Sequence, residues 1–306
     1  MRTLFPTLTI LIILVIIASC GGGESVDVAD HATQVQAWQA DRLSGLTAER
    51  GWLTLIGLYW LEAGENLVGT AEGDMVRFDP EFAPGELGSL FLEEWNGSPA
   101  VRLVPLAEAE LMVNGEPATE RILATDADTE PDVLSVGELE FFVIRREDRF
   151  GVRAKHPQAA TALSFTGLEY YPIDPVWRIE GTFVPYDQPK SILIPSVIGT
   201  SSEGLVPGEV RFAIGGEEYT LLPLSGGVDD PTWFYVFRDG TSGHGTYPSG
   251  RFLVSDAAVN GKVILDFNRA YNPPCAFTPY ATCPLPPREN WLTAEIEAGE
   301  KDYGEH

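Results

Sequence analysis

Val210–Leu222 reads VRFAIGGEEYTLL, two short strand-like runs separated by Gly215-Gly216. A two-residue turn of this kind needs φ > 0 at its centre, which glycine adopts freely, so the stretch predicts an antiparallel hairpin. Asn114-Gly115, following Leu111–Val113, carries the same signal. Outward from these two turns, strand-like runs recur with turn residues between them. In the first half they are Asn66–Gly69, Met75–Phe78, Ala100–Pro105, Leu139–Arg145 and Arg149–Ala154. In the second half they are Val176–Pro185, Ser191–Ile198, Glu209–Ile214, Glu218–Leu224, Trp233–Arg238, Arg251–Ser255 and Lys262–Phe267. Spacing of this kind predicts a mostly β chain of antiparallel sandwich or barrel-like units. The 31 glycines, 23 prolines and 10% aromatic residues fit a turn-rich β protein better than a helical bundle.

Helices are expected at the two ends. His31–Leu46 sets Val35, Trp38, Arg42 and Leu46 at helical spacing. After Pro286-Pro287 stops the preceding loop, Glu289 and Asn290 open a short C-terminal helix that Gly299 would cap. Trp52–Leu61 is continuously apolar and reads as a buried strand or a short helix-to-strand passage. A soft boundary in the proline-punctuated stretch His156–Ile173 gives a first β unit with its helix over 31–156 and a second over 157–306. The 52–61 segment is too long for the first unit to cover alone, so the two units are expected to share an interface.

Residues 1–19 read as a targeting segment: Arg2, then the apolar run Leu8–Ala18, then small residues. The run suits a signal peptide and is short for a membrane span. Its end, Ile17-Ala18-Ser19-Cys20, resembles the bacterial lipobox. That resemblance implies cleavage before Cys20, diacylglycerol on its thiol, and acylation, commonly palmitate, of the new N-terminus. Several acyl chains would anchor the protein stably to a membrane. Gly21, rather than Asp, follows the cysteine and leaves the outer membrane open as a destination in a diderm. Residues 20–30 (CGGGESVDVAD) read as a flexible acidic tether. With 45 acidic against 20 basic residues, the chain is a poor partner for nucleic acid or anionic lipid surfaces.

Chemistry concentrates in Lys262–Lys301, KVILDFNRAYNPPCAFTPYATCPLPPRENWLTAEIEAGEK. Cys275 and Cys283 lie in one loop, where a cysteine pair in an exported protein is by default a disulfide. A metal site and two buried thiols are the alternatives. No metal or cofactor is expected, because the four histidines lie elsewhere and no Cys-x-x-Cys is present. Arg251, Asp266, Asn268, Arg269, Tyr271, Asn272 and Glu289 are the candidate ligand-binding or catalytic groups. Asp266 and Asn268, two apart at a strand end, share one face. His244, in the glycine-rich loop 240–245, is the candidate general base. Such a set can bind a small polar ligand, or can pin a proline-rich loop as a satisfied network. The leading expectation is a membrane-anchored envelope protein that binds a small polar ligand or is structural. The alternative is a hydrolase-type enzyme with its site around 239–290. No G-x-S-x-G or H-E-x-x-H motif supports the enzyme.

The stretch GRFLVSD…LDFNRAYNPPCAFTPYATCPLPPRENWL…IEAGEK resembles the bacterial and archaeal family known as domain of unknown function 1684. Gly51-Trp52-Leu53, Leu58-Tyr59-Trp60-Leu61 and Gly64-Glu65-Asn66 are similar to its N-terminal part. The resemblance implies no activity, cofactor or catalytic residue. The first unit also distantly resembles a forkhead-associated sandwich through Leu61, Gly64, Gly69 and Asn114-Gly115. Thr70 stands where that family places its phosphate-binding arginine.

Overall fold

The computed structural model describes residues 28–128, 130–224 and 230–304; the expected signal segment, Cys20 and most of the expected tether lie outside them. Helix α1 (Val28–Leu46) starts three residues inside the expected tether. A single helical turn, Trp52–Thr54, then leads into β1, the helix-to-strand passage expected of this apolar segment. The first unit contains β1 (Leu55–Trp60), β2 (Gly64–Gly69), β3 (Val76–Arg77), β4 (Gly88–Trp95), β5 (Ser98–Pro105) and β6 (Met112–Val113). It continues with β7 (Glu116–Pro117), β8 (Arg121–Leu123), β9 (Val133–Val136), β10 (Leu139–Arg146) and β11 (Arg149–Lys155). Strand order is β1-β11-β10-β9-β6-β7 in one sheet and β3-β2-β4-β5-β8 in the other. Apart from the parallel β2–β3 pair, the pairings are antiparallel. Phe78, Leu90, Val101, Leu134, Phe141 and Val152 form the dry core of this unit. The β6–β7 turn is the predicted one, with Asn114 at φ 52° and Gly115 at φ 82°.

A short helix, α2 (Ala160–Ser164), begins the crossing to the second unit. There β12 (Arg178–Pro195), β13 (Ser201–Ile214), β14 (Glu217–Leu221), β15 (Thr232–Phe237), β16 (Arg251–Asp256) and β17 (Lys262–Asp266) follow. They pair as β14-β13-β12-β17 and β15-β16. The β13–β14 turn uses Gly215 at φ 60° and Gly216 at φ 90°, as its sequence predicts. The two expected runs 176–185 and 191–198 are one strand, β12. Its register against β13 slips between Pro185 and Lys190, where Pro185 and Pro189 have no N–H to give the ladder. Trp233, Tyr235, Phe237, Leu265, Phe267 and Ile296 fill the core between these sheets.

The expected C-terminal helix reduces to one turn, Arg288–Asn290. Residues 291–301 then run extended over the second unit, burying Leu292, Ile296 and Ala298. Gly299 caps nothing. It sits at φ +75° with its Cα pressed on the chain, so that a Cβ would meet the Ala270 carbonyl oxygen.

The Cys/Pro-rich loop is a core element rather than an exposed one. Of residues 271–287 only Pro279 is exposed. Cys283 and Ala281 pack with Val236, Phe252 and Leu222, while Ala276 and Phe277 pack with Leu46, Leu53 and Tyr247. Trp52 of the first unit touches both groups. Arg146 Nε and Arg153 Nη2 reach across to Thr282 Oγ1 at 2.9 and 3.1 Å. The shared interface between the units is therefore built on this loop.

Candidate functional site

The candidate residues of 251–272 separate into buried pairs and one cleft. Arg251, 1% exposed, leaves β16 inward. Its Nη2 binds Asp239 Oδ2 at 2.6 Å and the Ile296 carbonyl at 3.0 Å, and its Nη1 donates to the Ala298 carbonyl. Asp239 is held on its other oxygen by the Thr241 amide at 2.7 Å and the Thr241 hydroxyl at 2.5 Å. A guanidinium and a carboxylate are costly to bury singly, and here each neutralises the other while carbonyls take the spare N–H groups.

Asp266 ends β17 and caps the turn Phe267–Arg269. Its Oδ1 accepts from the Asn268 side chain at 2.9 Å, and its Oδ2 lies 2.8 Å from His31 Nε2 on α1. Asn268, sharing that face as predicted, crosses to Asp174: the Asp174 amide donates to its Oδ1, and its Nδ2 donates to the Asp174 carbonyl, both at 3.0 Å. Asn272 donates through its amide to Glu300 Oε2 at 2.8 Å and through Nδ2 to the Lys301 carbonyl at 2.7 Å. Glu300, fully buried, is answered by Arg42 Nε of α1 at 2.9 Å, and Arg42 Nη2 also reaches the Asn272 carbonyl at 2.9 Å. Burial holds the Glu300 carboxyl above the usual carboxylate range in spite of Arg42.

His31, Trp38, Arg42, Asp239 and Glu300 were not among the sequence candidates. Arg42 had a signal, a charge at an apolar position of the predicted helix. Of α1's 19 residues only His31, Val35 and Leu46 are buried, so polar contacts to the 266–300 region do much of the docking.

What stays open is a cleft of about 360 Å³ beside α1, lined by Trp38, Asp41, Arg42, Val254, Arg269 and Tyr271. Tyr271 lies 6.1 Å from Trp38 between ring centroids, and the Arg42 guanidinium sits 4.8 Å from the Tyr271 ring. Arg269 has an incomplete set of partners. Its Nε is shut off from water without a hydrogen bond and stands 3.6 Å from Asp266 Oδ2.

Two candidates lie apart from all of this. His244 is exposed in its loop, its amide donating to the Thr241 carbonyl. Glu289 is exposed and lines a different cleft with Glu209, Arg211 and Trp291. The expected Cys275–Cys283 bridge is a pair of free thiols, joined by a hydrogen bond from the Cys275 amide to Cys283 Sγ at 3.3 Å. Cys283 is 4% exposed and Cys275 is half-buried. Among the described residues no group of three or more His, Cys, Asp or Glu side chains is placed to hold a metal, and no helix is long and apolar enough to cross a membrane.

No curated protein matches the chain. A solution NMR structure of an uncharacterized protein of Haloarcula marismortui is 33% identical over 45% of this chain and 77% of its own, with a TM-score of 0.38. The family described as "Protein of unknown function (DUF1684)" matches residues 163–301, which carry β12 to β17, the cysteine loop and the extended segment. The chain belongs to that family.

Proposed function

We propose that this is a lipid-anchored cell-envelope protein that binds a small anionic ligand, with no chemistry performed on it, in the cleft beside α1. The observation that carries the reading is the division of labour among the motif residues. Arg251, Asp266, Asn268, Asn272 and Glu300 are buried and paired, so they hold the fold. Arg269, part-exposed and 3.6 Å from Asp266 Oδ2 through its buried Nε, lines an open cleft with two aromatic rings. A guanidinium is suited to a carboxylate or phosphate, and Trp38 and Tyr271 offer flat apolar contact for the rest of the ligand. Asp41 would accept from a hydroxyl or amine on the same molecule. The hydrolase alternative needs Arg251, Asp266, Tyr271 or His244 to converge on one substrate. Arg251 and Asp266 instead have separate partners, and His244 lies in another loop.

The anchor is proposed from Ile17–Cys20 alone. The binding reading is tested with a panel of small dicarboxylates and phosphomonoesters, screened by ligand-observed NMR. Arg269→Ala and Trp38→Ala should each weaken the best binder at least about 10-fold while melting within a few degrees of the wild type. No binder in the panel, or unchanged affinity in both variants, would overturn it.

A further inference from the structure

We infer that Cys275 and Cys283 form a redox-active dithiol that exchanges with an incoming disulfide, Cys275 being the attacking sulfur and Cys283 the resolving one. The inference is independent of the cleft reading and starts from three geometric facts. The two free cysteines are in contact, the Cys275 amide donating to Cys283 Sγ at 3.3 Å, so a mixed disulfide on one is within reach of the other. They are unequal in access: Cys275 is half-buried in the middle of the Pro274–Ala276 turn, whereas Cys283 is 4% exposed. A cation is buried next to them. Arg153, 4% exposed, donates through Nη2 to the hydroxyl of Thr282, the neighbour of Cys283, and its Nε has no hydrogen-bond partner.

Electrostatics points the same way. The hydrogen bond from the Cys283 thiol holds the Cys275 thiol below its ordinary range against the effect of burial. Cys283 is pushed well up, first by sharing its proton with Cys275 and then by burial, while Arg153 pulls the other way. Arg153 is itself lowered to about 10, chiefly by burial and then by repulsion from Arg146. A thiolate on the pair would answer that cation. Such a pair has the asymmetry that exchange requires, the more acidic sulfur being the more accessible and the less acidic one being held in reserve.

The step balances with a small-molecule or protein disulfide as oxidant. The Cys275 thiolate attacks one sulfur of RSSR, forming Cys275–S–S–R and releasing RS⁻. The Cys283 thiol gives its proton to that RS⁻, and the Cys283 sulfur attacks Cys275 Sγ, forming the intramolecular bond. The second RS⁻ leaves and takes a proton from water. Two electrons pass from the protein dithiol to the disulfide, and two RSH are made.

The experiment equilibrates the purified full chain in glutathione buffers of varied ratio, quenches, and counts thiols by alkylation and mass spectrometry. The expected result is loss of both thiols together at one midpoint, reversed by reduced glutathione. Cys283→Ser should accumulate one glutathione adduct on Cys275, and Cys275→Ser should form its adduct at least about 10-fold more slowly. Thiols untouched by glutathione disulfide in the folded wild type, though reactive after denaturation, would overturn the inference. A bridge that reduced glutathione cannot open, or equal reactivity of the two cysteines, would also overturn it.

Discussion

At the scale of single residues, Arg251 decides how the family motif is to be understood. A guanidinium 1% exposed, with a carboxylate and backbone carbonyls around it, is available to no substrate. Removing it strands Asp239 as a buried charge, and losses of about 3–5 kcal/mol follow when one partner of such a pair is deleted. Arg251→Ala should therefore lower the urea midpoint sharply, and Arg251→Lys should recover only part of it, because an ammonium cannot reach Asp239 and the carbonyls in one plane. A near-normal midpoint for Arg251→Ala would show that the pair is not structural. Local sequence pattern could mark Arg251, Asp266 and Asn268 as chemically dense. It could not reveal their partners, since His31 and Asp266 are 235 residues apart and Arg42 and Glu300 are 258 apart.

At the scale of elements, the predicted turns held because their chemistry is local: Asn114-Gly115 and Gly215-Gly216 need only φ > 0. The last element differs because its determinants are tertiary. Glu295, Ile296, Glu297 and Ala298 suit a helix, but burial of Leu292, Ile296 and Ala298 on the second unit and the bonds from Arg251 to the Ile296 and Ala298 carbonyls hold the segment extended. The strand β4 carries no clear signal in the sequence. Its end, Glu93-Glu94-Trp95, is polar or exposed and breaks the apolar run that marks a strand. Glu300 ties this extended segment to α1, and its titration gives a sign that can be checked. Its folded-state pKa is raised, so the folded protein binds that proton more tightly than the unfolded chain does. The stability linked to Glu300 is then present at acid pH and is lost as pH rises through the folded value. Comparing wild type with Glu300→Gln isolates this group from the other carboxylates. The wild type should gain on the variant as pH falls from neutral toward the ordinary carboxylate range. A difference that is constant, or that grows toward neutral pH, would contradict the assignment.

At the scale of the whole molecule, the two β units meet on the cysteine loop, with Trp52 and Thr282 as the visible hinge pins of the contact. A chain ending at Lys155 would leave Trp52, Leu53 and the Arg146–Arg153 pair uncovered. It should associate or unfold at low urea, as size-exclusion chromatography with light scattering and urea titration would show. Cooperative unfolding as a monomer would mean independent domains instead. The proposed anchor belongs to this scale as well. The formal net charge of −25 opposes adhesion to anionic lipid, so the acyl chains would be the attachment. Cys20→Ser should shift the protein from the membrane fraction to the soluble one or stall its processing; equal retention after a salt wash would remove the proposal.

The extended segment 291–301 also sets an order in time. It supplies the carbonyls that Arg251 needs and the carboxylate that Arg42 needs, yet a ribosome makes it after every strand is already out. Until it arrives, Arg42 of α1 lacks its carboxylate, Arg251 keeps Asp239 but lacks its carbonyl partners, and the second unit has an uncovered core edge at Phe237 and Phe267. The nascent chain should therefore stay loose until synthesis has passed residue 301, and then close in a single late event that joins its first helix to its final stretch. Contacts that distant in sequence fold slowly.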